Sequence, residues 1–256
     1  MSLLEVSDLG RGITEVKLNR PKANALNHEL VTELKVCFEN LRQEEQNQGA
    51  ILTGQFPFFS AGLDVVELFS YNQEQMMAFW NDFQEMIVSL LSYDKPLVAA
   101  ISGHSPAGGC ILALCADYRL MTEGKNRIGL NEAAVSIVIP KAIRSLYASV
   151  IGHGEANKAL LRGTLFEAKQ AYDLRLVDEL SSPEDLPGKA LDAVLKFTGM
   201  PSLAWRASKR ILKAELIEEL NDPEKSGFAD AAKYWWAEDC RNFLEQMILA
   251  LKKPKQ

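Results

Sequence analysis

The 256 residues carry 28 Lys+Arg against 34 Asp+Glu, a net charge of −6, with 47% hydrophobic and 24% charged residues. A chain of this length can bury a large core, and its composition excludes disordered, collagen-like and low-complexity classes. The acidic balance also excludes a general nucleic-acid-coating surface, which needs Lys and Arg patches. A small anionic ligand, held by a few local cations, stays open.

Residues 3–9 and 13–19 alternate apolar and polar positions around Gly10-Arg11-Gly12, which predicts an antiparallel hairpin. The period then changes: Leu30, Leu34, Cys37, Phe38 and Leu41 recur at helical spacing behind Asn27 as N-cap, with Gly49 past the end. Gly49 to Gly54 reads as a short strand, followed by a loop through Phe59-Ser60-Ala61-Gly62 and a short helix Val65 to Phe69. The aromatic- and Met-rich stretch 76–91 predicts a helix, Pro96 to Ile101 a buried strand, and Ile111 to Leu114 the start of an apolar helix. Tyr118 to Met121 and Arg127 to Leu130 are extended, and helices follow over 140–151, 154–162, 167–174, 184–198, 201–219 and 225–252. Strands alternating with helices indicate an α/β fold with an appended helical layer and no internal repeat.

Cys37, Cys110, Cys115 and Cys240 show no CxxC or Cys/His spacing, so they read as reduced structural thiols of a cytosolic-type compartment. The chain starts without a basic region and apolar core, and no apolar run approaches the ~18 residues of a membrane span. The expectation is a soluble cytoplasmic protein, or a mitochondrial matrix one if a leader has been removed. The closing Lys253-Pro254-Lys255-Gln256 is not a peroxisomal Ser-Lys-Leu signal.

Three loop chemistries compete. Gly103-His104-Ser105-Pro106-Ala107 resembles a nucleophile elbow, but Pro106 has no N–H to give an oxyanion and Ala107 replaces the final glycine. Gly103 and Gly108 have P-loop spacing, yet Gly109-Cys110 stands where Gly-Lys-Ser/Thr is required. What remains is either tight strand–helix packing or a helix N-terminus whose amides face an anion. Ser60-Ala61-Gly62-Leu63-Asp64 offers a second such amide at Leu63, and two backbone donors from separate loops are what an oxyanion hole needs. His28 and His104 have no partners at metal spacing, so no metal site is expected.

Together these loops resemble the signature of the crotonase (enoyl-CoA hydratase/isomerase) superfamily. The resemblance rests on Asn19 through Asn27, Phe59 through Asp64, Ile101 through Cys110, Cys115 through Arg119, and Ile128-Gly129-Leu130-Asn131-Glu132, and weakens only in the C-terminal helices. It implies a spiral of ββα units over 1–195, a helical trimerisation region over 196–256, an acyl-CoA thioester as substrate, and a homotrimer or hexamer. No cofactor beyond the CoA moiety is implied, and no nucleic-acid or membrane partner.

The resemblance puts the Leu63 and Gly108 amides in an oxyanion hole and makes Glu132 a catalytic carboxylate. Ile111 falls where hydratases carry the first of their two glutamates, and Glu132 where they carry the other. One carboxylate can move a proton between two carbons more readily than it can hydrate a double bond. The pattern is therefore most similar to Δ3,Δ2-enoyl-CoA isomerases; hydratase, hydrolase or decarboxylase chemistry and a non-catalytic acyl-CoA-binding subunit are the alternatives. The same resemblance makes Lys22, near Arg20, a candidate for a CoA phosphate, and Ala23, Ala25, Ala61, Gly62, Asp64 and Gly109 neighbours of the substrate. Asp64 could equally cap a helix, Asn131 could orient Glu132 or form a turn, and Asp117 reads as structural. An apolar pocket with Ile111 in its wall would raise the Glu132 pKa.

Overall fold

The computed structural model describes residues 2–252; the terminal Lys253 to Gln256 lie outside them. The hairpin forms as the alternation predicts: β1 (Leu4–Asp8) and β2 (Ile13–Leu18) pair antiparallel. Helix α1 (His28–Gln43) starts where Asn27 accepts from the Leu30 N–H at 3.0 Å, which satisfies one of the orphan donors of a helix start. Strand β3 (Gly49–Thr53), α2 (Val65–Leu68) and α3 (Gln73–Ser92) follow. A reciprocal capping box between Asn72 and Gln75 opens α3.

Next come β4 (Leu97–Ile101), β5 (Ser105–Pro106), α4 (Gly108–Cys115), β6 (Tyr118–Thr122), β7 (Arg127–Gly129) and a 3-10 turn at Glu132–Val135. Then α5 (Lys141–Ile151), α6 (His153–Arg162), β8 (Phe166–Glu167), α7 (Ala168–Asp173), β9 (Glu179–Ser181) and α8 (Leu186–Thr198) complete the α/β part. Helices α9 (Ser202–Asn221), α10 (Phe228–Tyr234) and α11 (Glu238–Lys252) close the chain.

The large sheet has the order β1-β2-β3-β4-β6-β9, parallel from β2 onward, and the small one β5-β7-β8. A strand in the large sheet, a strand in the small sheet and then helix recur at β4-β5-α4 and β6-β7-α5, so the chain winds as a crotonase-type spiral of ββα turns. β3 and β4 are buried throughout because both sheet faces are covered. Ile13, Ile51, Val98 and Leu120 pack under α8, while the main core lies under α1, α3, α4 and α5.

One expectation is corrected. The helix expected over 225–252 is two: Gly227, left-handed at φ 76, delays the start of α10, and the turn at 235–237, with Trp235 buried, redirects α11. The short strands β5, β8 and β9 were too brief for alternation to announce them. The aromatic face of α3 is core: Phe79, Trp80 and Phe83 pack on one another at ring distances of 5.5–6.0 Å, and Trp80 and Phe83 meet Phe228 of α10 at 6.1 and 6.3 Å.

The last helices fold back on their own chain. Gln84 of α3 donates to the Leu220 carbonyl at 2.6 Å, and Lys209 of α9 meets Asp117 at 2.6 Å. Arg241 of α11 lies over the Phe69 ring at 3.6 Å and donates to the Phe69 carbonyl. Among the described residues no helix is long and apolar enough to cross a membrane. All four cysteines are free, three of them buried and Cys37 partly so.

Candidate active site

Because β2, β3 and β4 are parallel neighbours, the loops that follow them leave from one edge of the sheet, the edge where open α/β sheets bind ligands. Backbone hydrogen bonds stitch these loops together. The Ala61 N–H donates to Ala23 O at 2.9 Å, Leu26 N–H to Gly62 O at 2.7 Å, and Asp64 N–H to Leu26 O at 2.9 Å. Phe59 N–H donates to His104 O, and His104 N–H to Pro57 O, each at 2.9 Å. Buried Asn24 reinforces the seam through its amide to the Phe59 carbonyl and its own carbonyl to the Ser60 hydroxyl.

The stitching presses the two glycine turns against each other. Gly62 sits at φ +81, and a Cβ there would stand 3.0 Å from both Ala107 Cβ and Pro106 O and 3.2 Å from Gly108 N. A Cβ on Gly108 would meet Leu26 Cδ1 at 2.7 Å and Gly62 Cα at 3.3 Å. At Gly62 the positive φ and the backbone contacts favour glycine; at Gly108 a Cβ would require the Leu26 side chain to shift. Gly109 packs inward against Ser60 O and is buried. Ala107 takes a positive φ of 48° and anchors its N–H on Gly129 O at 2.8 Å, aiming the first turn of α4 at the Gly62 loop. Among the described residues neither the Leu63 nor the Gly108 N–H meets a protein acceptor. Leu63, Ala61, Ala23, Ala25 and Asp64 are half-buried beside this cleft.

Glu132 is 7% exposed at the start of the 3-10 turn. Burial pushes its carboxyl from 4.5 up to about 7, against a small opposing effect of its own backbone N–H. Its Oε2 is buried with no hydrogen-bond partner among the described residues. Cys110 and Ile111, in the first turn of α4, are buried as well. The strand pair β5–β7 ties the two ends together: β5 leads into α4, and β7 leads into Glu132. The chain thus supplies a buried carboxyl poised near neutrality and two backbone amides free of protein acceptors among the described residues, groups of the kind that proton transfer next to a developing oxyanion needs.

Other expected residues have different partners. Asp64 caps the Glu67 N–H at 3.0 Å and pairs with Arg20 at 2.7 Å, and Arg20 also meets Glu67 at 2.9 Å. Arg20 is therefore engaged with carboxylates, whereas exposed Lys22 has no ion-pair partner among the described residues. Asn131 makes no hydrogen bond to Glu132; its Oδ1 is buried and unpaired. Asp117 accepts from the Leu97 N–H and from Lys209, a structural role. Ser105, at the rejected nucleophile elbow, is wholly buried. Sequence reasoning passed over Tyr147, a fully buried phenol on α5 whose hydroxyl has no hydrogen-bond partner among the described residues. Its signal was a polar tip among Ile143, Leu146 and Ile151 on the apolar side of the predicted helix.

The enoyl-CoA hydratase/isomerase family profile matches residues 8–231. The mitochondrial enoyl-CoA delta isomerase 1 of Mus musculus is 33% identical over 246 residues, covering 95% of this chain and 85% of that protein. A probable enoyl-CoA hydratase of Mycobacterium avium is 30% identical over 80% of each chain. The crystal structure of human mitochondrial delta3-delta2-enoyl-CoA isomerase superposes with a TM-score of 0.94 at 29% identity, covering 100% of both chains. Stitched loops, a spiral of ββα turns and relatives spanning nearly the whole chain lead to one assignment: the chain belongs to the enoyl-CoA hydratase/isomerase family.

Proposed function

We propose that this crotonase-superfamily enzyme is a Δ3,Δ2-enoyl-CoA isomerase. The observation that carries the reading is the single buried carboxyl of Glu132, held near pKa 7, with apolar Ile111 where the resemblance puts the first of a hydratase's two glutamates. The isomerase relatives support it, and the hydratase-named relative makes hydration the competitor to exclude.

In this reading the thioester oxygen of a 3-enoyl-CoA accepts from the Leu63 and Gly108 amides. The Glu132 carboxylate removes a C2 proton, and the electron pair spreads through C1 and C3=C4 as a dienolate. Collapse of the dienolate forms C2=C3 and restores the carbonyl while Glu132 returns the proton to C4, giving 2-trans-enoyl-CoA. The pKa near 7 suits both halves, since the same group acts first as base and then as acid. Lys22 pairs with a CoA phosphate, and Ala23, Ala25, Ala61, Gly62, Asp64, Gly109, Ile111 and Asn131 border the substrate. Asp64 and Gly109 do so through backbone. Exposed Leu203, Ile211 and Leu212 along α9 support assembly as a trimer or hexamer, which sedimentation would resolve. The relatives' mitochondrial names favour a matrix location.

Incubation with 3-enoyl-CoA and with 2-enoyl-CoA, following double-bond shift, hydration and CoA release together, tests the reading. Isomerisation without the other two supports it. Strong hydration of 2-enoyl-CoA overturns it, as does isomerisation that survives Glu132→Gln.

A further inference from the structure

The Leu63 N–H stands at the end of a continuous line of hydrogen bonds that begins on a cation. Arg20 donates from Nη1 to the Ala25 carbonyl at 3.1 Å. The same peptide unit carries the Leu26 N–H, which donates to the Gly62 carbonyl at 2.7 Å, and that second peptide unit carries the Leu63 N–H. Both peptides are trans, so in each the carbonyl and the N–H lie in one plane and point in opposite directions. A donor that grips the carbonyl of such a unit fixes the direction of the N–H on its far side. The Leu63 N–H, which meets no protein acceptor among the described residues, is therefore aimed by Leu26, and Leu26 by Arg20.

Arg20 itself has little freedom. Its backbone N–H donates to Asn24 Oδ1 at 2.9 Å, and its carbonyl accepts from the Asn24 N–H at 3.1 Å. On the other arm of the guanidinium, Nη2 meets Asp64 Oδ2 at 2.7 Å and Glu67 Oε2 at 2.9 Å. Glu67 is held in turn by the Asn27 amide at 3.0 and 3.1 Å and by the Tyr71 hydroxyl at 2.8 Å. Asp64 follows Leu63 directly, and its N–H donates to the Leu26 carbonyl at 2.9 Å. The guanidinium thus grips both sides of the Leu26–Leu63 bridge, one through a main-chain carbonyl and the other through a carboxylate.

The two amides of the proposed oxyanion hole are backed differently. The peptide that carries the Gly108 N–H has its carbonyl, that of Ala107, gripped by the Ile111 N–H at 3.0 Å, with the eight residues of α4 behind it. Aligned peptide dipoles make such an N–H a better donor. Behind Leu63 stands only α2, four residues long. Hydrogen bonds in series polarise one another, so a guanidinium at the head of the line does for the Leu63 N–H what the helix does for Gly108.

We infer that Arg20 is a positioning residue for the Leu63 N–H: through the Ala25–Leu26 and Gly62–Leu63 peptides it aims and polarises the donor that the thioester oxygen meets. The role rests on the oxyanion hole of the proposed function, but its test does not require turnover.

The test is the infrared stretch of a bound thioester carbonyl, read with hexanoyl-CoA carrying carbon-13 at that position. This probe has no double bond to move. Wild-type protein should lower the band from its position in free hexanoyl-CoA. Arg20→Lys keeps one charge for Asp64 and Glu67, but an ammonium lacks the planar fork that reaches the Ala25 carbonyl at the same time. The band should move back by about 10–30% of the wild-type shift, with the Kd for hexanoyl-CoA nearly unchanged. A role confined to stability would lower the folded fraction and leave the band where it was. In turnover of 3-enoyl-CoA, kcat should fall about three- to tenfold with KM nearly unchanged, less than the ~10²-fold expected for losing the donor itself. If Arg20→Lys fails to fold, an ester in place of the Ala25–Leu26 amide deletes the Leu26 N–H while keeping every side chain, and the band should move the same way. A band at its wild-type position in the folded variant overturns the inference, and wild-type isomerisation would then leave the isomerase reading standing. A band that moves as expected in a protein that turns over no 3-enoyl-CoA upholds the line from Arg20 and sinks the isomerase reading instead.

Discussion

Replacing Glu132 by glutamine should make the protein more stable at alkaline pH while removing the proposed base. In the folded chain the carboxyl has a pKa of about 7 against 4.5 ordinarily, and burial is the leading cause. At 1.36 kcal/mol per unit this is about 3 kcal/mol of penalty on the ionised form. Below pH 4.5 both folded and unfolded chains hold the proton, and the group is neutral in its effect. Between 4.5 and about 7 the folded chain keeps a proton that the unfolded chain has lost, so stability falls as pH rises. Above that range the folded state carries the whole penalty. Glutamine never ionises and escapes it; any mismatch of its amide lowers stability by the same amount at every pH. The quantity to measure is therefore the difference between the two proteins' urea-unfolding free energies across pH 5 to 8.5, which should change by about 2.5 kcal/mol in favour of Glu132→Gln, part of the penalty being already present at pH 5. Parallel stability curves would refute the claim that this carboxyl is desolvated in the resting enzyme.

Gly62→Ala forces a Cβ into φ +81 and to 3.0 Å from Ala107, so it should pry the two turns apart. The expected result is a kcat about 10²-fold lower, as for loss of one oxyanion donor, with folding retained in circular dichroism. Asp117→Asn strips the partner from Lys209, a buried cation otherwise held by the Lys95 carbonyl and the Tyr93 and Trp205 rings. It should cost about 3–5 kcal/mol in denaturant unfolding while the folded fraction keeps its kcat, since Asp117 stands outside the proposed chemistry. Lys22→Ala should raise KM for CoA thioesters by about three- to fivefold at low salt, with kcat unchanged and the effect fading as ionic strength rises.

Local signals in the chain carried much of this architecture. The Asn27 cap, the unbroken apolar runs of β3 and β4, and the glycine turns at Gly62 and Gly108 were legible because each reflects a short-range requirement: an orphan N–H, two covered sheet faces, a backbone with no room for Cβ. Glu132 was legible as a residue, through its motif, but not as a perturbed acid. Its burial is a tertiary property: α6 packs against the 3-10 turn that carries it, and no local period reports that. The Arg20–Asp64–Glu67 cluster escaped notice for the same reason, since it joins residues 47 positions apart. Helical periodicity ran straight through 235–237 because Trp235 and Trp236 suit a helix as well as the buried turn that redirects α11. Strands of two residues, such as β5 and β8, hold no period at all, yet β5 sets the spacing between Gly108 and Glu132.

The central claim is that one carboxyl carries one proton from C2 to C4. Isomerising a 3-enoyl-CoA deuterated at C2 in ordinary water, and locating the label in the 2-trans product by NMR, tests it most directly. Transfer by Glu132 within a buried pocket predicts deuterium at C4 in a fraction of the product, lost together with turnover in Glu132→Gln. Product whose C4 carries only solvent hydrogen would contradict a single enclosed proton carrier.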